Sequence, residues 1–123
     1  MSACLQLPER YLTMVMDILS RHAPTAEVWA FGSRVSGACH EASDLDIVVR
    51  NPADPQRETP QLAALRTAFS ESNLPIRVDI LDWARIPSGF RDEISRAHVV
   101  VQSGIQSPLS DNLPGNRNTA SAI

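Results

Sequence analysis

Two aspartates with a single leucine between them, Asp44 and Asp46, lead into the apolar run Ile47-Val48-Val49 and are separated by ten residues from the pair Gly32-Ser33. That pair in turn follows Glu27-Val28-Trp29-Ala30-Phe31, which reads as a buried strand. Aspartate is disfavoured inside strands, and side chains two apart on a strand project to one face. The stretch therefore constrains the chain to two strands whose ends carry a glycine turn, a hydroxyl and two convergent carboxylates.

The remaining carboxylate of this kind is Asp79, inside the alternating run Ile76-Arg77-Val78-Asp79-Ile80-Leu81. Val78 and Ile80 share one face of that third strand, and Arg77 and Asp79 the other. Two carboxylates within about 4 Å repel by roughly 4 kcal/mol at an effective dielectric near 20, so a third needs a compensating cation. Carboxylate-rich, oxygen-only ligation suits Mg²⁺, which binds through a few carboxylates plus substrate phosphates. Upstream, Gly32 lets a ligand approach the backbone, and Ser33 starts a helix whose first N–H groups favour phosphate. A phosphate cradle facing a metal cluster is the arrangement that nucleotidyl transfer uses.

Around this stretch the chain reads as one domain, an α/β arrangement with a small mixed sheet packed by helices. With 123 residues, 43% of them hydrophobic, it can bury one core. Leu12, Val15, Met16 and Leu19, widened by Tyr11 and Ile18, mark an amphipathic helix from Pro8 to His22 that Pro24 ends. The first strand spans 26–31, a short helix stopped by Gly37 follows, and the second strand covers about 43–50. Thr59-Pro60 offers a cap and first-turn proline for a helix to about Asn73, with Leu62, Leu65, Ala68 and Phe69 inward. Pro87-Ser88 opens a helix carrying Phe90, Ile94 and Ala97, and Val99-Val100-Val101 is a last extended run. The domain is expected over residues 1–102. From Ser103 the composition turns to Ser, Asn, Pro and Gly, which predicts a disordered tail over 103–123.

Charge and residue usage exclude other chemistries. A net charge of −3 with no basic cluster argues against general nucleic-acid binding. All eleven basic residues are arginine, so a Walker-type phosphate loop, a Schiff base and a lysine-adenylate mechanism have no lysine to use. Cys4 and Cys39 fit no metal spacing, and no stretch reads as a signal peptide or membrane span, so a reducing cytoplasm is expected. Asp82 falls on the opposite parity to Asp79 and reads as turn chemistry. His40 reads as an exposed loop residue, His22 and His98 as structural, Trp29 as core, and Trp83 as a candidate partner surface. Arg77 shares a face with Asp79 and is open to pairing with it or with phosphate.

Gly32-Ser33, ten intervening residues, Asp44-Leu45-Asp46 and then Asp79 between Val78 and Ile80 together resemble the polymerase beta-like nucleotidyltransferase superfamily, and more narrowly the minimal nucleotidyltransferases, over about residues 8 to 102. The resemblance implies that Gly32 and Ser33 bind the triphosphate, that Asp44 and Asp46 hold two Mg²⁺ ions, and that Asp79 completes the metal site and activates the acceptor hydroxyl. It also places Arg34, which follows the motif serine, at the nucleotide. The segment Cys39-His40-Glu41-Ala42 departs from the family, in which a proline-containing turn is frequent there.

Many stand-alone members are antitoxins that silence a HEPN-domain ribonuclease toxin by attaching AMP from ATP to a tyrosine hydroxyl. The resemblance thus implies an ATP-using protein adenylyltransferase that forms a hetero-oligomer with such a toxin, without membrane association. A non-catalytic antitoxin acting by contact, and a small-molecule nucleotidyltransferase, are the alternative readings. The second of these lacks an extra helical domain to wall a substrate pocket.

Overall fold

The computed structural model describes residues 5–37 and 43–104. The expected tail from 105 onward, Cys4, Cys39 and His40 lie outside the described residues. The elements run α1 Glu9–His22, β1 Glu27–Phe31, α2 Ser33–Ser36, β2 Leu45–Arg50, α3 Leu62–Ser70, β3 Val78–Asp82, a 3-10 turn at Trp83–Arg85, α4 Ser88–Arg96 and β4 Val99–Ser103. Among the described residues no helix is long and apolar enough to cross a membrane.

The strands form one mixed sheet in the order β3-β2-β1-β4. β1 runs antiparallel to both β2 and β4, while β2 and β3 are parallel. Alternation then sorts the side chains. Val28 and Ala30 of β1, Leu45, Ile47 and Val49 of β2 and Ile80 of β3 pack beneath α1 and α3 with Val15, Leu19, Leu65 and Phe69. On the opposite face Phe31, Val48, Trp83 and Ile94 make a smaller core under α4. Asp46 alternates with Leu45 and Ile47, so it belongs to the α4 face.

Several details depart from expectation for local reasons. Met16 is 47% exposed, because the buried arc of α1 centres on Val15 and Leu19 and widens towards Ile18. At about 100° per residue, Met16 falls on the far side of that arc. Thr59 caps no helix: its N–H donates to Asp82 Oδ2 at 2.9 Å, and α3 begins three residues later. Asp82 also accepts from Ala84 N–H, which makes it a turn residue as the parity indicated. Trp83 is 7% exposed and belongs to the core under α4, so it is unavailable as a partner surface.

β4 runs to Ser103 and is followed by Gly104, whose φ of +67° and close contact with the backbone of Thr25 to Glu27 leave no room for a Cβ. His98 stacks on Trp29 with ring centroids 3.9 Å apart, and its Nδ1 lies 3.1 Å from the carbonyls of Ile94 and Ser95.

Candidate active site

The site forms where β1 ends and β2 and β3 begin or pass. Phe31, the last residue of β1, lies opposite Asp46, and Asp46 in turn registers with Asp79 on β3. Parallel register puts paired residues on one face, so the two carboxylates stand side by side on the α4 side of the sheet. Asp44 sits two residues before Asp46 and is exposed.

Gly32 turns the chain over this pair. Its φ of 83° and ψ of −152° lie in a region that is essentially glycine-only. A Cβ there would meet Asp46 Oδ2 at 2.5 Å. The backbone conformation therefore demands glycine, and a side chain there would also displace the Asp46 carboxylate. Ser33 then opens α2, which is a single turn closed by bonds from Val35 and Ser36 N–H to the Gly32 carbonyl. A helix this short adds little dipole, so any phosphate affinity at Ser33 comes from local N–H groups.

Burial raises the pKa of Asp46 above the usual aspartate value, and the charges of Asp79 and then Asp44 raise it further. Asp46 thus lies close enough to both other carboxylates to feel their charge. Among the described residues, however, no group of three or more His, Cys, Asp or Glu side chains is gathered tightly enough to hold a metal ion. Asp79 carries an ion pair: Arg77 Nε lies 3.1 Å from its Oδ1. The donor chemistry nevertheless fits a divalent cation: Asp46 and Asp79 are hard oxygen donors on one face of the sheet, with repulsion on Asp46 for a cation to relieve.

Arg34 is placed elsewhere. Its side chain is 3% exposed, with Nε and Nη2 donating to the Ser43 carbonyl at 3.1 and 2.8 Å and Nη1 to the Gln6 carbonyl at 2.9 Å. The expectation that Arg34 meets nucleotide is corrected accordingly: its guanidinium ties the segment before α1 and the start of β2 to α2. Arg34 is a scaffold residue because those carbonyls converge on it.

An open groove of about 920 Å³ runs beside the carboxylates, lined among others by Phe31, Asp46, Arg66, Arg77, Asp79 and Phe90. Phe31 and Phe90 meet edge to face at 5.7 Å. Arg66, which donates to the Ile80 carbonyl at 3.0 Å, had no sequence signal beyond lying on the polar side of a predicted helix.

Residues 12–105 match the family described as Nucleotidyltransferase domain. A curated relative, the probable protein adenylyltransferase MntA of Haemophilus influenzae, is 42% identical over 102 residues, which cover 81% of this chain and 86% of that protein. A solved structure, the crystal structure of a toxin-antitoxin with AMP-PNP, aligns with a TM-score of 0.60 over 79% of this chain and 74% of that one, at 23% identity. The last likeness bears on the fold: a mixed sheet with helices, as the sequence pattern implied.

Proposed function

Because this chain belongs to the nucleotidyltransferase domain family, we propose that it is an antitoxin that transfers AMP from ATP, with Mg²⁺, to a tyrosine hydroxyl of a partner HEPN-domain ribonuclease toxin. The observation that carries the reading is the register of Asp46 with Asp79 directly beside the Gly32 turn. Support for a protein acceptor comes from the kinship to a probable protein adenylyltransferase and from the open groove, which leaves a small acceptor unenclosed.

In this reading Asp44, Asp46 and Asp79 hold the divalent cation, and the main chain at Gly32 and Ser33 takes the triphosphate. The cation, when bound, supplies charge neutralisation at the phosphates and acidifies the acceptor hydroxyl. Asp79 receives the hydroxyl proton, the acceptor oxygen bonds to the α-phosphorus, and the bond to the bridging oxygen breaks to release pyrophosphate. Orientation of the acceptor accounts for much of the rate, since well-placed groups can supply about 7–11 kcal/mol. The toxin, seated against the groove, provides the wall that this domain lacks.

The test combines purified toxin, this protein, Mg²⁺ and ATP labelled at the α-phosphate, followed by intact mass and peptide sequencing of the toxin. One AMP or more on a toxin tyrosine is expected. Unlabelled toxin that is still silenced supports the contact-only antitoxin instead. Label appearing on a free small hydroxyl compound and never on the toxin supports the small-molecule transferase.

A further inference from the structure

Resting on the transferase reading above, we propose that Arg77 is a positioning residue: its guanidinium keeps the Asp79 carboxylate until a divalent cation and nucleotide enter the groove, then moves to the nucleotide phosphates. The two side chains lie two apart on one face of the chain entering β3, and Arg77 Nε meets Asp79 Oδ1 at 3.1 Å. Both line the same groove as Asp46. The ion pair lies where a metal ligand is needed, in a site whose carboxylates are not gathered around one point.

The exposures decide what such a pair can do. Arg77 keeps 75% of its side chain in solvent and Asp79 40%. Exposed pairs contribute only about 0.2–1 kcal/mol, so the guanidinium is tethered loosely and can leave at small cost. A strong buried pair there would withhold Asp79 permanently. Among the described residues the other groove arginine, Arg66, donates to the Ile80 carbonyl at 3.0 Å, which leaves Arg77 as the described groove cation that can follow an incoming phosphate. Its long, exposed arm and planar fork suit that second partner.

Removing the guanidinium should therefore act in opposite directions on the two ligands. The probe is Mn²⁺, titrated against the full chain without nucleotide and followed by electron paramagnetic resonance of the free ion, with ATP binding measured separately in Mg²⁺. Arg77→Ala is expected to bind Mn²⁺ more tightly, by about 1.4- to fivefold, the range a surface pair allows, and to bind ATP more weakly. Arg77→Lys should restore ATP binding in part, and it serves as the readout should the alanine variant fail to fold. A merely structural Arg77 would not raise metal affinity when lost. If Arg77→Ala leaves Mn²⁺ affinity unchanged while Asp46→Asn lowers it, the handover is overturned and the transferase reading stands. If neither wild type nor Arg77→Ala binds Mn²⁺ without nucleotide, the handover is overturned, while the transferase reading stands or falls on the AMP-transfer assay, since the cation there also binds through substrate phosphates.

Discussion

Strand β2 carries a charge near each end of the same face, Asp46 at its start and Arg50 at its finish, and the two environments are opposites. Arg50 is held by opposite charge and by aromatic faces: Nη1 meets Glu27 Oε1 at 2.9 Å, and the guanidinium lies 4.5 Å from the ring centre of Trp29 and 4.7 Å from that of Trp83, while its buried Nε–H has no hydrogen-bond partner. Glu27 is matched again by Trp29 Nε1–H, which donates to its other oxygen at 2.9 Å. Asp46 instead faces two further carboxylates and a loss of hydration, all raising its pKa. Like charges beside a partly desolvated carboxylate cost stability. One end of the strand is arranged to hold the sheet, and at the other Arg77 offsets Asp79 only through an exposed pair.

The largest test of that contrast is Asp46→Asn. Removing a ligand from a metal-assisted transfer forfeits several kcal/mol of transition-state stabilisation, or about a thousandfold in rate at tenfold per 1.4 kcal/mol. The fold should stay intact. AMP incorporation and an unfolding curve on the same sample check it, and a variant that keeps its rate would remove Asp46 from the chemistry.

Next in size is Arg50→Ala at the other end. Glu27 would be left without its cation, and breaking a half-buried pair on one side costs about 3 kcal/mol, the lower end of its range, because each side chain still keeps about a fifth of its surface in water. Urea unfolding should show that loss, with the transfer rate per folded molecule unchanged. Equal damage to rate and stability in either variant would erase the distinction between the two ends.

The smallest effect is the pH dependence of stability. The folded pKa of Asp46 lies above its unfolded value, so its contribution is fully present below the ordinary value of 3.8 and is lost as pH rises through the folded pKa. In the metal-free chain, Asp46→Asn should melt above wild type at neutral pH, and the gap should close on acidification. Paired melting curves across that range measure it. A gap independent of pH would mean that the crowding of Asp46 carries no cost.

The carboxylate end was the more legible in the sequence. Glycine after a strand and aspartate inside one are anomalies that the chain itself displays, and period-two alternation is enough to put Asp46 and Asp79 on one face. The Arg50 end was not legible, since Glu27, Trp29, Arg50 and Trp83 look unremarkable until the β1–β2 register and the turn after β3 bring them together. Arg34 misled for the same reason. Its neighbour Ser33 is a motif position, but its own task depends on carbonyls of Gln6 and Ser43, which only the tertiary fold places beside it. Helix boundaries failed where a distant side chain intervened, as Asp82 does at Thr59.

The sheet order has a consequence for how the molecule is made. β1 is interior, yet one of its two neighbours is β4, the last strand among the described residues, and Glu27 finds Ser103 only across most of the chain. During synthesis β1 and β2 can pair early, but one border of β1 stays bare until β4 emerges. Closing so long a loop makes this pairing the slow, high-contact-order step. An apolar strand with an open border is in the meantime a template for wrong partners. For a chain that we propose must subdue a nuclease, the interval before β4 docks is the time in which that protein is not yet there to act.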